Sequence, residues 1–159
     1  MKYTSEMANA LSTRDIDVYT NQISILRTTF LGVFSADQMP QKILPGQTFI
    51  VNCCPSDRPG IHWVAIFKRS ASVYEFFDST GSWPDQYKDL QMPKSCKTIL
   101  FRHKRIQAID SETCGHYCIF FVYCKARNKS FKSMDSFFCK SLRENDANIC
   151  IFLSTILQQ

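Results

Sequence analysis

His62, Asp78 and Cys114 have the side chains and neighbours required for acyl transfer by a thiol. Such chemistry needs a thiolate at neutral pH, an imidazole beside it, a group that fixes the imidazole, and donors for the oxyanion. Cys114 precedes Gly115 and opens a segment in which Cys114, Cys118, Phe121 and Val122 recur at helical spacing. Asp110, Ser111 and Thr113 are candidate caps for that helix. The unpaired N–H groups and macrodipole of a helix N-terminus favour negative charge, and therefore a thiolate. Gly115 is expected to leave room for a substrate carbonyl to reach the sulfur.

The elements that must position these groups follow from the pattern. Ile61–Phe67 is an almost continuous run of β-formers, expected for a strand buried on both faces. Val73–Asp78 follows after the polar 68–72 stretch, so the two predict a hairpin with His62 and Asp78 at adjoining ends. The carboxylate would then hold one ring nitrogen and leave the other for the thiol. Upstream, Ser12 with Asp15 three residues on predicts a helix start. Phe30–Phe34 and Thr48–Asn52 read as strands, the second after the turn residues Pro45-Gly46. Lys97–Phe101 and Arg105–Ala108 are weaker strand candidates. Met134–Leu142 and Ala147–Leu157 are expected helices, capped by Ser133 and by Asn145 or Asp146. Central strands flanked by helices make an α+β fold with a central, mainly antiparallel sheet.

Composition bounds the rest. The chain has 159 residues, 45% hydrophobic and 13% aromatic, enough for one core-bearing domain over residues 1–159 and against disorder. A net charge of +5 is a mild basic bias, as compatible with ordinary solubility as with nucleic-acid contact. Met1–Met7 lacks the apolar stretch of a secretory signal, and the apolar run Ile149–Ile156 is too short to span a bilayer. The eight cysteines are therefore expected as thiols in an intracellular setting, with Cys124, Cys139 and Cys150 packed as small hydrophobes. Cys114, His116 and Cys118 could each ligate zinc, but no second pair completes a four-ligand set, so no metal site is expected.

Taken singly, each candidate has an ordinary role: a core cysteine on a helix, a histidine in a strand, an aspartate opening a turn. In combination they resemble a known family. Pro59-Gly60-Ile61-His62-Trp63-Val64-Ala65-Ile66, then Tyr74-Glu75-Phe76-Phe77-Asp78-Ser79-Thr80-Gly81, then Gln107 and Thr113–Cys118, are similar to the adenovirus protease (adenain) family. Phe30-Leu31-Gly32 resembles that family's Phe-Leu-Gly segment. The flavour is that of proteases carried by Polinton/Maverick transposons and related viruses. The wider clan includes proteases that deconjugate ubiquitin-like proteins.

The resemblance implies a papain-like fold, with Cys114 as nucleophile, His62 as base and Asp78 as third member where adenain has Glu. It makes Gln107, seven residues before Cys114, the oxyanion-hole glutamine, and sets Trp63 beside the site. Cys96 falls where the family's disulfide to an activating peptide would be, and Arg102-His103-Lys104-Arg105 is a basic run that could meet DNA phosphates. The implied substrates are capsid-type precursor polypeptides, cut next to small residues such as Gly, in the nucleus, cytoplasm, viral factory or virion. The alternatives are a ubiquitin- or SUMO-deconjugating protease and a catalytically silent binding module on the same fold.

Overall fold

Alternation along three central strands builds the sheet in this computed structural model, which describes residues 8–159; the reading of Met1–Met7 lies outside them. The strands are β1 (Phe30–Ser35), β2 (Thr48–Asn52), β3 (Trp63–Lys68), β4 (Val73–Phe77) and β5 (Thr98–Phe101), hydrogen-bonded in that order. Phe49, Val51, Val64, Ile66, Tyr74 and Phe76 face one apolar cluster, while Ile50, Trp63, Ala65 and Phe77 face another. Both faces of β2–β4 are therefore covered, which explains their unbroken apolar character. The antiparallel expectation holds for β2–β3 and β3–β4; the edge pairs β1–β2 and β4–β5 are parallel, so the α+β sheet is mixed.

Among the described residues four α-helices accompany the sheet: α1 (Thr13–Gln22), α2 (Cys114–Ala126), α3 (Phe131–Asp135) and α4 (Leu142–Ile156). Ser12 caps α1 and forms the expected reciprocal box with Asp15. Nearly every residue of α2 is buried because it lies between the sheet and α4, and that position accounts for its apolar composition all round. Asn128 adopts φ 56° just past its end, a left-handed stop that asparagine tolerates.

Several expectations are corrected. The helix expected over 134–142 is instead Phe131–Asp135, capped by Ser130 rather than Ser133. Ser141 caps α4, while Asn145 and Asp146 lie inside that helix and bond elsewhere. Residues 105–108 form no strand, because the Ile106 and Gln107 amides both donate to the Ser79 carbonyl (2.9 and 3.1 Å). Cys139 is exposed, unlike buried Cys124 and Cys150; all eight cysteines are thiols. No helix among the described residues is long and apolar enough to cross a membrane.

Candidate active site

The β3–β4 hairpin sets the site. Its register pairs Ala65 with Phe77; continued past the strand ends, it puts His62 opposite Thr80, one pleat from Asp78. The His62 carbonyl accepts from the Cys53 amide at 3.0 Å, which ties this end of the hairpin to β2. The loop returning to His62 crosses Asn52 so closely that a Cβ on Gly60 would sit 2.3 Å from Asn52 Nδ2. A side chain there would force Asn52 to move, although its Oδ1 accepts from the Cys54 amide at 3.0 Å.

His62 Nε2 and Asp78 Oδ1 are 2.8 Å apart, which leaves Nδ1 as the ring's other face. Asp78 Oδ1 also accepts from the Thr80 amide and hydroxyl, each at 2.8 Å, and Oδ2 accepts a short bond from the Tyr87 hydroxyl. Tyr87 stacks on the His62 ring, with centroids 5.8 Å apart and planes 21° from parallel. Burial acts to depress the His62 pKa, but hydrogen bonds and charge from Asp78 and then Cys114 outweigh it and raise it from 6.5 to about 9. Burial likewise works against the Asp78 carboxylate, and the bonds from His62, Tyr87 and Thr80 hold its pKa below the ordinary value. Burial and the Asp78 charge together push the Tyr87 phenol far up, so it stays a donor.

Cys114 is the first residue of α2, at the orphan N–H end of that helix. No side chain caps the helix there: the Thr113 hydroxyl donates to Asp146 Oδ1 at 3.2 Å instead. Gly115 has a packing reason rather than the expected substrate clearance, since a Cβ there would meet Leu11 Cβ at 3.1 Å. Leu11 is held by Trp63, whose Nε1 donates to the Leu11 carbonyl at 2.9 Å. Burial pushes the neighbouring Cys118 and Cys53 thiols well up, so they stay protonated.

Gln107 hangs from the irregular 105–108 segment. Besides Ser79, that segment is held by Asn145 Nδ2 on the Ile106 carbonyl (3.1 Å) and by Asp146 Oδ2, which accepts from the Ala108 amide (3.3 Å). The Gln107 side chain is itself buried. His62, Trp63, Gln107 and Cys114 line one cleft of about 450 Å³, with exposed Ile61 and Ile109 at its margins. A neighbouring hollow of about 270 Å³ shares Gly60 and Trp63 with it.

The structure thus brings His62, Asp78, Cys114 and Gln107 together, with Trp63 beside them. Cys96 lies elsewhere, half-buried against the apolar cluster on the other face of the sheet, its Sγ 3.6 Å from the Thr98 carbonyl. In the basic run, Arg102 pairs with Asp135 at 2.5 Å and His103 Nδ1 bonds the Gly81 carbonyl at 2.7 Å, while Lys104 and Arg105 are exposed. Sequence reasoning missed Tyr87, Thr80 and Asp146. Tyr87 lies in a turn-rich stretch with no period, and only the fold-back of residues 78–87 reveals its contact. No group of three or more metal-ligating side chains is assembled among the described residues.

This geometry can run acyl transfer: a thiol on a helix N-terminus, an imidazole kept cationic by a buried carboxylate, and amide donors beside it. No protein-family model matches the chain. It is 32% identical over 123 residues to the protease of bovine adenovirus 7, covering 65% of this chain and 60% of that one. It is 29% identical over 121 residues to the protease of ovine adenovirus D serotype 7, covering 62% and 57%. With the protease of snake adenovirus serotype 1 it shares 26% over 140 residues, covering 78% and 66%. The chain spans about 60% of the length of the first of these relatives. Among solved structures, the ASFV pS273R protease superposes with a TM-score of 0.54 at 20% identity, over 93% of this chain and 68% of that one. The chain is accordingly adenain-like, similar in sequence to the adenovirus proteases and built on the fold of the ASFV pS273R protease.

Proposed function

We propose that this chain is a cysteine endopeptidase acting through Cys114, His62 and Asp78, with Gln107 in the oxyanion hole. The observation that carries the reading is the pairing of His62 Nε2 with Asp78 Oδ1 at 2.8 Å, in the cleft that Cys114 and Gln107 also line. Cys114 Sγ attacks the scissile carbonyl carbon, and the Cys114 amide and the Gln107 Nε2 amide receive the oxyanion. Protonated His62 gives its Nδ1 proton to the leaving amine as the tetrahedral adduct collapses to a thioester. Neutral His62 then deprotonates a water, which cleaves the thioester and restores the thiolate–imidazolium pair.

A polypeptide substrate is supported by the second hollow, which adjoins the cleft at Gly60 and Trp63. The burial of Cys114 favours a small residue such as Gly at the scissile bond. We take the biological substrates to be capsid-type precursors encoded by the same virus or Polinton-like element, cleaved inside the cell. The internal pairing of Arg102 and His103 weakens the case for DNA binding by the basic run, and Cys96 offers an activating peptide only a half-buried thiol.

The test is hydrolysis of fluorescence-quenched peptides with Gly-Gly centres by wild type and Cys114→Ala, with and without duplex DNA and reductant. Cleavage by wild type alone is expected; equal rates in both proteins would overturn the proposal. Release of a SUMO or ubiquitin fusion in preference to such peptides would move the substrate class to a folded modifier.

A further inference from the structure

An oxyanion hole that uses a side-chain amide has a weakness that a backbone N–H lacks. The amide can turn over and present its oxygen, which repels the developing charge instead of stabilising it. Gln107 faces this hazard, and its surroundings resolve the orientation. One corner of its amide is 2.8 Å from the Ser111 carbonyl oxygen. A carbonyl only accepts, so that corner is the nitrogen. The other corner is 2.6 Å from the Ser79 hydroxyl, which can donate to an amide oxygen. Ser79 is fully buried, and its carbonyl also holds the Ile106 and Gln107 amides, so hydroxyl and backbone grip the same two residues.

We infer that Ser79 is a positioning residue for the oxyanion hole: its hydroxyl anchors Gln107 Oε1, which fixes Nε2 with one N–H on Ser111 and the second for the substrate oxyanion. This rests on the reading of the chain as a cysteine protease and deepens it. Ser79 adjoins Asp78 in sequence, yet its hydroxyl bonds Gln107, while Asp78 is served by His62, Thr80 and Tyr87. One short turn thus supplies both the third member of the triad and the lock on the oxyanion donor. Without the hydroxyl, Oε1 loses its donor in a buried place, and rotation toward the open cleft becomes its way of finding water.

Ser79→Ala is expected to lower kcat on a Gly-Gly quenched peptide by about tenfold to 10²-fold, near the effect of losing an oxyanion donor, with KM little changed. Alkylation of Cys114 by iodoacetamide, which forms no oxyanion, should keep its wild-type rate and pH dependence. Ser79→Thr should restore most of kcat. In a Gln107→Ala background, Ser79→Ala should change kcat less than twofold, because the group it positions is gone. The inference is overturned if Ser79→Ala keeps kcat within twofold of wild type. It is equally overturned if Ser79→Ala slows the Gln107→Ala protein by the same factor as wild type, or slows alkylation in step with turnover.

Should wild type cleave no peptide at all, the protease reading fails, and Ser79 is judged separately by NMR. The Gln107 side-chain NH₂ should give two resolved protons in wild type, with the one on the Ser111 carbonyl protected from exchange, and lose that protection in Ser79→Ala. Unchanged protection would refute the lock without reference to activity.

Discussion

Replacing Asp78 with Asn removes one charge and leaves the scaffold that holds it. Asn Oδ1 can still accept from His62 and from Thr80, and the Tyr87 hydroxyl can turn to accept from Nδ2. What changes is the imidazolium. Raising the His62 pKa from 6.5 to about 9 corresponds to about 3 kcal/mol in favour of the charged ring, gained against burial. Asp78 supplies the largest favourable share and Cys114 the next. Asp78→Asn should therefore bring the His62 pKa down by at least about one unit, with burial now closer to winning.

In a pH–rate profile the alkaline limb reports loss of the general acid, so it should move from about 9 in wild type toward neutrality in the variant. The rate plateau should also fall, by about 10²-fold or more. Stability follows with a defined sign. His62, raised above its unfolded value, stabilises fully below 6.5 and loses this as pH rises through 9. Asp78, lowered, stabilises above 3.8 and loses this as pH falls through its folded value. The melting difference between wild type and Asp78→Asn should accordingly be largest between about pH 4 and 6.5 and shrink by pH 9. Histidine-detected NMR titration and denaturant melts across pH read both effects. An alkaline limb that stays near 9 in Asp78→Asn would refute the claim that Asp78 holds the imidazolium.

Tyr87→Phe keeps the ring on His62 but removes one donor from Asp78, so it should cost about 1 kcal/mol of the pair's stability and shift the alkaline limb by less than Asp78→Asn. Gly81 has φ +72°, and a Cβ there would lie 2.6 Å from the Lys104 carbonyl carbon; Gly81→Ala should destabilise by about 2 kcal/mol or more and lower kcat through Gln107, as melts and kinetics will show. Glu75→Gln leaves the buried Lys125 cation without its counter-charge, an expected loss of about 3–5 kcal/mol by denaturant titration, whereas the pair Glu75→Leu with Lys125→Met should recover most of it. Ile109→Ser, at the cleft margin, should raise KM for peptides flanked by apolar residues and leave Cys114 alkylation unchanged.

Much of this was legible in the sequence where local chemistry and period agree. Thr48–Asn52 is bounded as its β-formers predict, the Ser12–Asp15 box opens α1, and the helix begins at Cys114. The adjacency of His62 and Asp78 is legible because two short strands joined by a polar turn have one plausible register. What the sequence hid are contacts made by segments without a period. Tyr87, Ser79 and the 105–108 segment meet the site through loops whose course depends on tertiary bonds to Ser79, Asn145 and Asp146. Gly115 misled for a related reason: a glycine after a cysteine suggests access, but here Leu11 from the N-terminal segment occupies that space. The helix stops at Asp135 rather than running over 134–142, because Phe137 and Phe138 pack against Phe120 instead of continuing a helical face.

Catalysis by this site requires Cys114 and His62 to work as a charged pair. Limiting iodoacetamide at about pH 7, with the labelled residue identified by mass spectrometry, reads this without a substrate. Wild type should be modified first at Cys114 although that residue is buried, ahead of exposed Cys139 and half-buried Cys96, and His62→Ala should lose this preference. Labelling that begins at Cys139 and is indifferent to His62→Ala would contradict the account and leave a binding module on the same fold.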